Sequence, residues 1–126
     1  MKKLLKDTKV LIVDDDAIFL DAISTSLTMH GANVHSASNG IEAMELLKKT
    51  QVHFILSDMR MPESDGMDFL KNLRVADPNP PPFFFLTGYA AQYSIEEMKE
   101  LGATGILAKP ISLAALIETI AASIKP

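Results

Sequence analysis

Four short polar groups stand directly after apolar runs in this chain. Asp14-Asp15-Asp16 follows Val10-Leu11-Ile12-Val13, and Ser57-Asp58 follows Phe54-Ile55-Leu56. Thr87-Gly88 follows Phe83-Phe84-Phe85-Leu86, and Lys109-Pro110 follows Gly105-Ile106-Leu107-Ala108. Carboxylates crowded together repel one another, and that is costly unless a cation lies among them. An oxygen donor set without His or Cys selects a hard ion such as Mg²⁺. A Lys and a hydroxyl on the opposite side suit an anion beside that ion, with the Lys acting as a point charge for phosphate. Asp14, Asp15, Asp58, Mg²⁺, Lys109 and Thr87 in one place would make a phosphoryl-transfer site. Catalysis there is mostly positioning and charge neutralisation. No Ser–His pair stands at these positions, so a carboxylate is the expected acceptor.

Only the fold can bring these distant groups together. The runs at 10–13, 54–56 and 83–86 are continuous and apolar, as strands buried on both faces of a parallel sheet are. The run at 105–108 is weaker, and Asn33-Val34-His35-Ser36 is weaker still and suits a sheet edge. Helical stretches lie between the runs. Ile18, Ala22, Ile23 and Leu27 recur at three- and four-residue spacing and end at Gly31. Asn39 with Glu42 resembles a capping box before Ile41, Met44 and Leu47, and Ser94 with Glu97 is a second box before Ile95, Met98 and Leu101. Asp65 can cap a helix bearing Phe69, Leu70 and Leu73, and Ser112 can cap one bearing Leu113, Leu116, Ile117, Ile120 and Ile124. The Pro-rich stretch 77–82 reads as a loop. The order is strand then helix, five times over, which predicts an α/β doubly wound parallel sheet with helices on both faces. In such sheets ligands bind beyond the carboxyl ends of the strands, where all four polar groups fall.

Composition bounds the rest. A chain of 126 residues, 48% hydrophobic, has the size of one domain, with no room for a second, effector domain. Twelve Lys and Arg against 16 Asp and Glu give a net charge of −4, which argues against a nucleic-acid face on this domain. The absence of Cys excludes disulfides, thiolate metal sites and a Cys nucleophile. No apolar run reaches the roughly 18 residues of a membrane span, and no signal-peptide core follows the basic N-terminus. The expectation is a soluble, cytoplasmic chain without membrane contact.

At this point the sequence resembles a response-regulator receiver domain of two-component (phosphorelay) signalling. The resemblance rests on Val13-Asp14-Asp15-Asp16, on Leu56-Ser57-Asp58-Met59-Arg60-Met61-Pro62-Glu63-Ser64-Asp65-Gly66, on Phe85-Leu86-Thr87-Gly88, and on Gly102-Ala103-Thr104-Gly105 with Ala108-Lys109-Pro110. It covers residues 1–126 as a single receiver domain with a core of about 9–124. It implies a flavodoxin-like (βα)5 fold with strand order 2-1-3-4-5. It implies Asp58 as phosphoacceptor from a phosphohistidine, and Asp14 and Asp15 as the acidic pair at Mg²⁺, for which Mn²⁺ can substitute. The backbone carbonyl of Arg60 completes the implied metal set, Thr87 is the hydroxyl that turns toward the phosphoryl group, and Lys109 binds a phosphoryl oxygen. The Lys109–Pro110 bond is expected to be cis, and Pro62 and Gly66 to shape the acceptor loop. The implied partners are a sensor histidine kinase or His-phosphotransfer protein and a downstream effector domain or protein. An activation-dependent homodimer stays open. The implied role is a signalling switch rather than an enzyme of metabolism, although the chain is expected to assist its own phosphorylation and dephosphorylation. The switching surface would lie around helix 4, strand 5 and helix 5 and include Glu96, Glu97, Lys99 and Glu100.

Blander readings stand beside these. Asp16 reads as a helix cap, Asp65-Gly66 as a turn and cap, and His30, His35 and His53 as structural because no two have ligand spacing. Asp14-Asp15-Asp16 also fits the start of a haloacid-dehalogenase-like phosphatase motif, but Ile18 stands where that family has Thr or Val. A flavodoxin-like electron carrier shares the fold class but not the Asp-rich loop, which would repel a flavin phosphate. A receiver-shaped scaffold without phosphorylation is a third alternative, opposed by the complete acidic set with Thr87 and Lys109. One departure from the family pattern is Ile106, where Tyr or Phe is common, which puts a Thr–aromatic switch in doubt. Arg60 and Tyr89 are expected to overhang the phosphoryl site and tune the lifetime of the acyl phosphate.

Overall fold

The computed structural model describes residues 4–59, 65–88 and 95–124. Strands and helices alternate as β1 (Lys9–Val13), α1 (Ala17–Met29), β2 (Asn33–Ala37), α2 (Gly40–Lys49), β3 (Phe54–Asp58), α3 (Gly66–Ala76), β4 (Phe83–Thr87), α4 (Ile95–Glu100), β5 (Gly105–Ala108) and α5 (Leu113–Ser123). All strand pairs are parallel, in the order β2-β1-β3-β4-β5. The winding reverses between β1 and β3, and the crevice beyond their carboxyl ends is where such sheets take ligands.

The unbroken apolar runs follow from covering both faces of the sheet. Leu11, Val13, Ile55, Phe83 and Phe85 pack with Ala43 of α2, Phe69, Leu70 and Leu73 of α3, and Met98 of α4. Their neighbours Val10, Ile12, Phe54, Leu56 and Leu86 pack with Leu27 of α1 and Leu116, Ile117 and Ile120 of α5. The Phe83 ring meets Phe85 edge-on at 5.0 Å and Phe69 at 5.4 Å, tying α3 to β4. The edge strand β2 buries only Ala37, consistent with its polar sequence.

Caps fix where four helices begin. Asp16 accepts from the N–H groups of Ile18 and Phe19, Asn39 from Glu42, Asp65 from Asp68, and Ser112 from Ala115. Ser94 lies outside the described residues. Glu42 does not close a box on Asn39. Its carboxylate accepts from the backbone N–H of Ser38 at 3.0 Å and from the Ser38 hydroxyl at 2.7 Å, one residue further back.

Three residues expected on buried helix stripes, Ile18, Ala22 and Ile41, face outward instead. Ile18 is 83% exposed and Ile41 58% exposed. Leu27 is fully buried and sets the phase of α1, and Ile18 lies about 180° round the helix from it. Phe19, Leu20 and Ile23 carry the stripe, and Ala22 is exposed. Ile41 lies about 200° from the fully buried Ala43 in the same way.

Candidate functional site

Ladder hydrogen bonds set the height of each polar group above the sheet. Asp14 donates its N–H to the carbonyl of Ala37 at 3.0 Å, which pins it at the end of β1. Asp58 is in register with Leu86, and Thr87 with Ala108. Lys109 donates its N–H to the carbonyl of Thr87 at 3.0 Å, and its bond to Pro110 is cis. The four strand-end groups therefore rise together, as the topology predicts.

The side chains converge accordingly. One carboxylate oxygen from each of Asp14, Asp15 and Asp58 lies within 4.8 Å of the others. Asp14, Asp58 and Thr87 are buried, whereas Asp15 is exposed. The Lys109 ammonium stands 3.4 Å from Asp58 Oδ1 and 3.5 Å from Asp14 Oδ2. It also lies over the Phe19 ring, 5.7 Å from the centroid.

Burial pushes the Asp14 carboxyl above its ordinary 3.8. The N–H of Asp16, donated to Asp14 Oδ1 at 2.9 Å, works against that, as does Lys109, while the charges of Asp58 and Asp15 add to it. Burial disfavours the Lys109 ammonium, but Asp14 and Asp58 outweigh it and hold the group above its ordinary 10.5.

The residues present fit a metal ion. Asp14 Oδ2 is buried and accepts no hydrogen bond among the described residues, and Lys109 touches it only at ion-pair range. An all-oxygen, charge-crowded set with one orphaned oxygen suits a hard divalent cation.

Around this set the backbone is tight. The Ser57 hydroxyl donates to the carbonyl of Asp58 at 3.0 Å. A Cβ at Gly66 would meet that same carbonyl oxygen at 2.5 Å and the Phe85 ring at 2.9 Å. Gly66 donates its N–H to the carbonyl of Met59 at 2.9 Å, so the start of α3 is held against the end of β3. A cavity of about 510 Å³ at the other end of the sheet is lined by apolar Met44, Leu47, Val52 and Leu73 together with polar Lys48, Gln51, His53 and Asp77, and is far from this chemistry.

A family model for the response regulator receiver domain matches residues 10–121. The chain belongs to that family. Its relatives include sporulation initiation phosphotransferase F of Bacillus subtilis, 32% identical over 86% of this chain and 87% of the relative. A probable chemotaxis protein CheY of Rhizobium etli is 33% identical over 93% of this chain and 95% of the relative. The sensor kinase CckA of Brucella abortus is 34% identical over 90% of this chain, which spans only 12% of that protein. The solved receiver domain from Clostridium thermocellum superposes with a TM-score of 0.84 at 30% identity, covering 93% of this chain and 94% of that one. The chain is thus a receiver domain of two-component response regulators, a family of signalling switches, with the CheY-like topology predicted from sequence. Among the described residues, no helix is long and apolar enough to cross a membrane.

Asp14, Asp15, Asp58, Thr87 and Lys109 all stand at this receiver's strand ends. The Arg60 carbonyl, Pro62 and Tyr89 lie outside the described residues. Asp16 caps α1, and His30 and His53 make structural hydrogen bonds, to the Ser26 carbonyl at 3.0 Å and from the Lys9 N–H at 2.9 Å. Sequence reading missed Phe19, whose place beside Lys109 has only a faint local signal, an aromatic ring in the first turn after a capping Asp. It also saw in Gly66 a loop-shaping and turn residue, not a close contact with the Asp58 carbonyl.

Proposed function

We propose that this receiver domain accepts a phosphoryl group on Asp58 from a phosphohistidine, with Mg²⁺ held by Asp14, Asp15, Asp58 and the backbone carbonyl of Arg60. Mn²⁺ is the expected substitute. The observation that carries this is Lys109 paired with both Asp14 and Asp58 beside three converging carboxylates. A bound divalent cation would neutralise the carboxylates and the equatorial oxygens of the incoming group. The ionised Asp58 oxygen attacks phosphorus in line, an O–P bond forms, and the N–P bond breaks with its electron pair leaving on the imidazole. The Lys109 ammonium, already at the acceptor, neutralises charge on a phosphoryl oxygen. The Thr87 hydroxyl, at the end of β4, then turns toward the phosphoryl group and draws the loops after β4 and β5 inward.

That movement biases a partner surface around α4, β5 and α5, on which Glu96, Glu97, Lys99 and Glu100 are exposed. Ile106 packs into the cluster that also holds Phe85, so the change there is one of apolar packing rather than of an aromatic ring with a polar tip. The donor is a sensor histidine kinase or a His-phosphotransfer protein, and the receiver of the signal is an effector domain or protein. A homodimer formed on activation fits the same surface. In this reading residues 1–126 form one receiver unit in the cytoplasm, working as a switch and not in metabolism.

Mass spectrometry with a small phosphodonor tests the assignment. The expected result is a Mg²⁺-dependent gain of one phosphoryl group that Asp58→Asn abolishes. Equal labelling of Asp58→Asn and the parent would sink it.

A further inference from the structure

Asp16 and Phe19 have no part in the chemistry proposed above, yet they form a closed circuit with it. Asp16 donates its N–H to Asp14 Oδ1 at 2.9 Å. Its own carboxylate accepts from the N–H groups of Ile18 at 3.0 Å and Phe19 at 3.1 Å, which fixes the first turn of α1. The Phe19 ring, half-buried, then lies 5.7 Å from the Lys109 ammonium, which returns to Asp14 at 3.5 Å. The negative face of an aromatic ring attracts an ammonium within about 6 Å of its centroid. Lys109 rests on a flexible four-carbon stem, so fixed neighbours on more than one side are what hold its charge in one place.

We propose that Phe19 is a positioning residue for Lys109, aimed by the Asp16 cap. The ring attracts the ammonium alongside the two carboxylates of Asp14 and Asp58. This rests on the phosphoacceptor reading for its consequence, but not for its geometry. When the carboxylates are engaged elsewhere, Phe19 is the neighbour that keeps the charge beside the acceptor. An aliphatic side chain of similar size at position 19 would fill the space and lack the attraction.

Phe19→Leu and Phe19→Trp separate the two roles. The first readout is the NMR shift of the Lys109 side-chain protons next to nitrogen in metal-free protein, where a neighbouring ring displaces them. Phe19→Leu is expected to return that shift to the value of an exposed lysine, and Phe19→Trp to keep it displaced. The second readout is the rate of labelling at Asp58 by a small phosphodonor. It is expected to fall about two- to five-fold in Phe19→Leu, the change that a partly exposed cation–ring contact corresponds to, and to recover in Phe19→Trp. Equal shifts in Phe19→Leu and the parent overturn the proposal, and so does an equal loss of rate in both variants, which marks packing alone. Labelling of Asp58→Asn as strong as the parent's removes the phosphoacceptor reading, while the metal-free shift still decides the placement of Lys109.

Discussion

The α-carbon of Gly66 lies so close to the carbonyl oxygen of Asp58 that a Cβ there would stand 2.5 Å from it. The start of α3 is thus pressed against the backbone of the proposed acceptor, with the Phe85 ring closing the other side at 2.9 Å. Gly66→Ala must push apart backbone and a packed ring, neither of which yields cheaply. A loss of about 1–3 kcal/mol in stability is expected, read as a lower urea midpoint, together with slower labelling at Asp58. Unchanged stability and labelling in the variant would show that this contact constrains nothing.

The buried Asp14 carboxyl makes the metal-free protein sensitive to pH. Its folded pKa is raised above 3.8, chiefly by burial, so the fold binds its proton more tightly than the unfolded chain does. The stability this contributes is complete below 3.8 and is lost as pH rises through the folded value. Asp14→Asn removes that loss. Metal-free Asp14→Asn is expected to melt higher than the parent at pH 7, with the gap closing toward pH 4. A parent that matches the variant at both pH values would count against the buried charge.

Lys109 sets a second limit at the alkaline end. Its ammonium is held above 10.5 by Asp14 and Asp58 against the effect of burial. The stability it lends is present below 10.5 and disappears as pH rises through the folded value. Lys109→Met, which keeps the stem and loses the charge, is expected to flatten the alkaline part of the stability profile. The check is the urea midpoint from pH 8 to 12 in both proteins.

Divalent cation binding should stabilise the fold by mass action. At a hundredfold excess over its dissociation constant Mg²⁺ adds about 2.7 kcal/mol, which is a rise of roughly 10 °C in melting temperature for a domain of this size. A chelator reverses it. Asp15→Asn, which removes the exposed carboxylate of the proposed metal set without disturbing the core, is expected to weaken the response. A melting temperature that ignores Mg²⁺ in the parent would remove the metal from the mechanism.

Arg74 supplies a tether remote from the carboxylates. It donates to the carbonyl of Leu101 at 2.7 Å and lies over Gly102, which adopts a positive φ of +103° and where a Cβ would meet the guanidinium at 2.5 Å. The bond joins α3 to the chain just after α4. Because the site is exposed, Arg74→Ala is expected to cost only about 1 kcal/mol. Hydrogen exchange should show the larger effect, with faster exchange at the end of α4 and the turn after it (residues 98–102) and little change in β1.

Local signals carried much of this structure. The both-face burial of β1, β3 and β4 appears as unbroken apolar runs, and Asp16, Asn39, Asp65 and Ser112 cap helices as their types suggest. The converging carboxylates were legible because a parallel sheet puts every strand end on one side. The phase of α1 was not, since Ile18, Phe19 and Leu20 are all apolar and only packing against Leu27's side of the helix chooses among them. Contacts between distant elements left no local trace either. Arg74 on Leu101, Gly66 against Asp58 and Phe19 beside Lys109 each depend on how two helices or loops happen to meet.

Asp14 follows β1, and Lys109 follows β5. Their ion pair exists only when β5 has docked on β4 at the far edge of the sheet. A chain cut before the fifth strand–helix unit carries the acidic half of the site without the ammonium. In the proposed reading, the acidic half of the site gains its ammonium only after the fifth strand–helix unit has folded.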